Sequence, residues 1–533
     1  MPTTEPTNPP RSPGTSRASQ LLLAALLTGM AACGGAGDAP PDRRTLVDSR
    51  DSYDPRSLDP ALSTDVPTGR VVSYLFDGLT RFTPEAELEP ALAERWEMSP
   101  DGLTYTFHLR QGVTFHDGTP FRAAQVVRSF ERVLDPAVRG GRGWPLHPIQ
   151  GALEYAAGTA PTISGLSAPD DSTIVITLAE PLAVFPKLLA MPVASVLPDS
   201  IPDDFGQHPV GTGPWRFVEW SHDDYLLFAR NDQFWGETPA AESLMARIIP
   251  EPSTAVAEFE AGNVDILQIP EAETRSWIER NDGRAQLQSA PALRLYYVAI
   301  NTTRGPLADV RVRQAINLAV DVRTILDRLA GGRGRLAAGV IPPALDGADT
   351  TRAPYGYDPE RARQLLAEAG HASGLQLQLW SSTTPPFPRI AETIQGYLKE
   401  VGIEVELVQR DASSMREAAR NGETDLVLKD WFADYPDAEN FLYPLLHSSS
   451  EGVGGNVSFY SNAGYDSLVT AARGEMDDAR RATLYTRADS VALDDAPMLF
   501  LWFYDDLFAI QPWIEGFKVP VVFNGQRWEG VGR

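Results

Sequence analysis

A single cysteine, Cys33, is all that this 533-residue chain contains, so no disulfide can form within it. Histidine is almost as scarce. The seven present, His108 and His116 among them, show neither a His-Glu-x-x-His pair nor another compact ligand spacing, so no metal site is expected and surface or structural roles are assigned to them. Basic residues are in deficit, 46 against 71 acidic ones, for a net charge of −25. That balance opposes the cationic footprint that a phosphate backbone demands, and excludes nucleic acid as an expected partner. No apolar run reaches the ~20 residues that span a bilayer, so no mature membrane helix is expected. Also missing are a Gly-x-Ser-x-Gly elbow and a Walker loop, which removes two common routes to hydrolysis and nucleotide chemistry.

What is present is a globular composition, 43% hydrophobic and 22% charged, long enough for several cores. At the N-terminus Arg11 and Arg17 precede the apolar run Leu21 to Leu27, and small residues lead to Cys33. Residues 1–33 are read as a targeting segment outside the fold. Met30-Ala31-Ala32-Cys33 resembles the bacterial lipoprotein box, with Met30 where leucine is usual, which implies a lipid on Cys33 and a tether over 34–44. An ordinary signal peptide cleaved nearby is the competing reading. The leader carries few charges, so the acidity belongs to the body, where it reads as a solubilising surface.

Along the body, α and β signals alternate. Leu103 to Leu109 alternates as a strand, and with Arg110-Gln111-Gly112 and Val113 to Phe115 it reads as a hairpin. Val71 to Leu79 has mixed spacing and stays open between helix and strand. Ala123 to Leu134 has one apolar helical face. Pro209 to Trp215 is read as a glycine turn. Helix-then-strand units follow at 254–269, 359–380, 387–408 and 414–428, with an extended aromatic run at 295–301 ahead of a helix over 310–329. Layered α/β architecture is the expectation.

The order of several blocks is more specific. Ser57-Leu58-Asp59-Pro60, Leu75-Phe76-Asp77-Gly78-Leu79, Phe115-His116-Asp117-Gly118-Thr119-Pro120, Gly211-Thr212-Gly213-Pro214-Trp215, Phe259 to Asp265, Asp309 to Ala315 and Ala433-Asp434-Tyr435-Pro436-Asp437 occur in register. Together they resemble the extracellular solute-binding protein family 5, the oligopeptide- and dipeptide-binding receptors of ABC importers. The resemblance implies a two-lobed α/β periplasmic-binding-protein fold, type II-like and of cluster C, with an inserted third domain. It places lobe I in 45–75, 195–290 and 495–533, the insertion in 76–194 and lobe II in 291–494. Chain crossings are expected near Leu295 to Ala299 and Asp494 to Phe503.

The same resemblance implies the site. Asp434 matches the aspartate that pairs with a ligand's α-ammonium group, with Trp431, Phe432 and Tyr435 beside it. The motif is read as directly following a strand that ends at Leu428, where clefts of open α/β sheets lie. A turn-capping role before Pro436 is the competing reading of Asp434, and core packing that of Trp431 and Phe432. Trp502 and Tyr504 match aromatics of the second hinge strand. Val66 matches a position where an extended ligand pairs with receptor backbone. Leu428 stands where some oligopeptide receptors carry a basic residue for the ligand carboxylate, and Lys429 and Arg420 are read as solvated charges.

The expected protein is therefore a monomeric, non-catalytic receptor without a cofactor, exported to the periplasm or cell surface and anchored through Cys33. Its partners are a peptide or other small solute and an ABC importer permease. An exported hydrolase and a non-transport envelope scaffold are the alternatives.

Overall fold

Fifteen residues of unbroken strand, Gln286–Ile300, lie against thirteen more, Met498–Ile510, in the computed structural model, and these two strands organise the molecule. The structure describes residues 44–532 other than 139, 141, 281 and 282. The expected targeting segment over 1–33, the expected lipidation at Cys33 and all but the last residue of the expected tether over 34–44 lie outside the described residues.

An 11-stranded sheet runs in the order Ile403–Arg410, Leu375–Ser382, Leu426–Phe432, Gln286–Ile300, Met498–Ile510, Ile266–Gln268, Thr45–Asp51, Ser243–Ile248, Tyr225–Arg230, Trp215–Ser221, with Arg335–Leu336 beside Met498–Ile510 off this path. Its two halves meet only through the long antiparallel pair. Residues 295–299 pair with 498–503 on the side of Leu426–Phe432, whereas 286–291 pair with 505–510 on the side of Ile266–Gln268. Register breaks between Pro291 and Leu295. Proline has no N–H to give the ladder, and a bulge there bends both strands. A second break between Tyr296 and Tyr297 leaves Leu501 and Trp502 in the same core.

A separate sheet orders Ala93–Met98, Thr104–Leu109, Thr173–Thr177 and Leu166–Asp170, covered by helix Ala123–Leu134. Here the expected hairpin is corrected. Thr104–Leu109 turns back onto Ala93–Met98 and also pairs with Thr173–Thr177, with Gly102 at φ +72 in the turn. Residues 113–115 form only a bridge, Thr114 to Pro120. Alternation marks a strand but says nothing of its partner.

Three further differences follow from local chemistry. The undecided stretch begins as helix Val66–Leu75, opened by Asp65, whose carboxylate accepts from the Thr68 amide at 2.9 Å. The expected helix over 310–329 is two, Val310–Ala319 and Val322–Leu329, because Asp321 caps a new start by accepting from Thr324 N at 3.0 Å. The strand expected to end at Leu428 runs to Phe432, held by ladder partners from Ile300 back to Arg294.

Gly211 and Gly213 do not act as a turn with left-handed backbone. A Cβ on Gly211 would lie 2.0 Å from the Leu75 carbonyl oxygen, and one on Gly213 would lie 2.5 Å from that of Tyr74. Their role is to let this loop press against the end of helix Val66–Leu75. His116 ties the loop down: its Nδ1 accepts from Gly211 N at 3.2 Å, and its Nε2 bonds the Gly213 carbonyl at 3.0 Å.

Candidate functional site

Strand Leu426–Phe432 divides its side chains between two cores, as a two-residue period requires. Leu426 and Leu428 enter one core with Tyr296, Trp502 and Tyr504, and Phe432 packs at its margin; Val427 enters the other, against which Trp431 packs. The predicted aromatics are therefore not one group. Trp502 is buried, its indole stacked on Tyr296 with centroids 5.1 Å apart. Tyr504 is buried beneath the guanidinium groups of Arg294 and Arg333. Arg294 also pairs with Asp430 at 2.8 Å. Phe432 stands 6.5 Å from the ring of Phe523, which in turn packs on Gly69. The structure does not bring these residues to Asp434.

It does bring Trp431, Asp434 and Tyr435 together, through a residue that sequence reasoning missed. Asn440, buried in helix Glu439–Leu446, accepts from the Asp434 amide at 2.9 Å and from the Trp431 indole N–H at 3.4 Å. The Tyr435 hydroxyl is consumed by Glu439, which also pairs with Arg473 at 2.8 Å. The capping expected as one reading of Asp434 is instead done by Asp437, which accepts from Glu439 N at 3.0 Å.

The carboxylate of Asp434 faces Arg142, whose Nη2 donates to it while Nη1 donates to the Thr64 carbonyl at 3.2 Å. Burial pushes the Asp434 carboxyl above its ordinary range, and the Arg142 charge and hydrogen bond oppose that. Lys187 reaches the same loop, donating to the Pro436 carbonyl at 2.8 Å and pairing with Asp437 at 2.7 Å. The motif loop is thus pinned by a segment some 250 positions away in sequence. Arg142 carried no motif; its only signal was the Gly140 to Gly143 stretch, which marks irregular backbone.

Val66 differs from expectation. It is the first helical residue, so its carbonyl serves the helix, and the extended residue at this point is Asp65, at φ −137 and ψ 165. Leu428 is fully buried, so it faces core and not solvent. Lys429 is half-buried and has no hydrogen-bond or ion-pair partner among the described residues, which corrects its reading as a solvated charge. Burial lowers its ammonium group to about 8, with Asp430 opposing and Arg420 and Arg416 reinforcing the shift. Directly across the ladder stands Tyr297, whose buried hydroxyl is also without a partner.

With this geometry in view, comparison with known proteins is decisive. The family model for bacterial extracellular solute-binding proteins, family 5 Middle, matches residues 87–452. The chain belongs to this family. Its members are binding proteins rather than enzymes, and the fold is the two-lobed α/β periplasmic-binding-protein fold with an inserted third domain. The chain is 34% identical to heme-binding protein A of Haemophilus influenzae over 78% of each chain. It is 31% identical to the dipeptide-binding protein of Escherichia coli, over 84% of this family 5 chain and 87% of that one. Among solved structures it resembles the ABC transporter-associated periplasmic binding protein DppA of Helicobacter pylori in complex with the peptide STSA. That match has a TM-score of 0.77 and 30% identity, and covers 92% of this chain and 98% of the other.

Proposed function

We propose that this family 5 receptor captures a short peptide or similar small solute between its two lobes and delivers it to an ABC importer permease. In this reading it acts as an exported monomer without catalysis, held to a membrane by a lipid on Cys33. The observation that carries the peptide assignment is Asp434, a carboxylate two residues past the end of the sheet strand, tied with Trp431 to Asn440 and facing Arg142 from a distant part of the chain. A relative that binds dipeptides and a neighbour that holds a tetrapeptide support it. Asp434 would receive the ligand's α-ammonium group, because a carboxylate in a water-poor cleft strengthens that pair.

Lobe II would comprise 291–494, lobe I the segments 45–75, 195–290 and 495–533, and the insertion 76–194. The register break from Pro291 to Leu295, opposite Phe503 to Asp505, supports a hinge at that level. Ligand contacts to both lobes would then shift the open–closed equilibrium by their differential affinity for the closed form.

Lys429 is the favoured partner for the ligand's carboxylate, in place of the buried Leu428. Its unpaired ammonium gains by meeting an anion. The sign with pH follows: the charged form binds, so affinity for a free-carboxylate peptide is expected to hold below pH 8 and to fall, by up to about tenfold per pH unit, above it. Calorimetry from pH 6 to 10 on the wild type and Lys429→Met checks this. A fall of the same steepness in the variant would assign the effect elsewhere.

A thermal-shift screen with peptides of graded length, and with sugars and metal chelates as controls, tests the main reading. Binding to the native state raises the melting point by mass action. The peptide-dependent shift should largely vanish in Asp434→Ala, since a charge-assisted bond is lost, about tenfold or more in affinity. A full shift retained in that variant would keep the receptor and remove the ammonium role.

A further inference from the structure

Arg142 lies where an amino group is expected. One guanidinium nitrogen donates to the Asp434 carboxylate and another to the Thr64 carbonyl, in the extended stretch just before helix Val66–Leu75. A carboxylate and a backbone carbonyl, presented by separate chain regions, are what a primary ammonium group with its fan of donors would seek. The forked guanidinium meets both at once. The two side chains are only 25% and 19% exposed, so this ion pair is partly shielded from water and is not a fully solvated surface contact.

Two residues before Arg142, at Gly140, the backbone lies close against a neighbouring segment. Gly140 presses on residue 61 so closely that a Cβ there would sit 2.1 Å from the Ala61 carbonyl oxygen. Arg142 itself belongs to no helix or strand. Swinging the guanidinium out would break its bonds to Asp434 and Thr64 and no helix or strand hydrogen bond.

We infer that Arg142 is an internal cation that occupies the amine position at Asp434 in the unliganded protein, so that a ligand's ammonium group binds by displacing it. The inference rests on the proposed role of Asp434 as the ammonium acceptor. Displacement makes Arg142 a determinant of specificity. Apparent affinity for amine-bearing ligands is reduced by the fraction of molecules in which the position is already filled, whereas a ligand that does not use the position is unaffected. The site thereby shifts the balance between ligands that place an amine there and ligands that do not.

Calorimetry on the full chain with the tetrapeptide Ser-Thr-Ser-Ala and its N-acetylated form tests this. Arg142→Met should tighten the free-amine peptide by about tenfold and leave the acetylated one unchanged. Arg142→Gln, which keeps a donor for Thr64, should do the same and serves if the methionine variant is poorly folded. In the Asp434→Asn background the gain should disappear, as a coupled pair requires. Unchanged free-amine affinity in both Arg142 variants overturns the inference, and so does equal weakening of both peptides, which would make Arg142 part of the binding wall. If Asp434→Asn alone leaves free-amine binding intact, the ammonium role itself fails and takes this inference with it. Failure of wild type and variants alike to bind the tetrapeptide overturns both.

Discussion

Replacing Asp77 with alanine is expected to lower the stability of the protein by about 3–5 kcal/mol, the range for removing one partner of a buried ion pair. The carboxylate is fully buried and pairs with Arg527 at 2.6 Å, itself 5% exposed. It also accepts from Thr212 Oγ1 at 2.8 Å and from the Trp235 indole N–H at 3.0 Å. Burial alone would raise its pKa, but Arg527 and these hydrogen bonds more than offset that, and the group lies below its ordinary value. Without Asp77, Arg527 would keep Glu529, at 3.9 Å, as its ion-pair partner among the described residues, with the Phe234 ring 5.8 Å away, and two of its guanidinium nitrogens are already buried without hydrogen-bond partners. Denaturant titration of wild type and Asp77→Ala measures the loss. Adding Arg527→Met should recover part of it, since the stranded charge is the larger cost. A loss under about 1 kcal/mol would show the pair to be dispensable.

Acid should weaken the protein through His116. Its imidazole clamps the Gly211–Gly213 loop with one nitrogen accepting and the other donating, an arrangement open only to the neutral ring. Burial lowers its pKa from 6.5 to about 4. A depressed histidine pKa means that the unfolded chain binds the proton first. The stabilisation is complete above pH 6.5, declines as pH falls, and is gone below about 4, a loss of up to about 3 kcal/mol. Stability measured at pH 7 and pH 4 should fall by that much more in the wild type than in His116→Gln. Parallel losses would place the acid sensitivity elsewhere.

Helices such as Ala123–Leu134 and Pro359–Glu368 were legible because their apolar period and caps are local properties. The family blocks were legible by their order, yet their physical content was not. Asp77-Gly78 and Gly211-Thr212-Gly213 meet as a buried carboxylate, its donors and close backbone approaches, contacts that join positions 135 and 450 apart in sequence. Distance in sequence also hid the cation at Asp434, 292 positions away, whereas Thr104–Leu109 was mispaired because alternation does not say which neighbouring segment a strand turns back on. Periodicity could not end the strand at Phe432 either, because half-buried Lys429 and Asp430 look like loop residues until their ladder partners are known. Placing Trp431 and Trp502 in different cores needed the register.

The paired crossing strands restrict more than position. Two adjacent spans, hydrogen-bonded to one another on either side of a common break at Pro291–Leu295, behave as a leaf spring and not as a swivel. Any swing of the molecule's halves about this level would bend both spans together and not turn on a single strand.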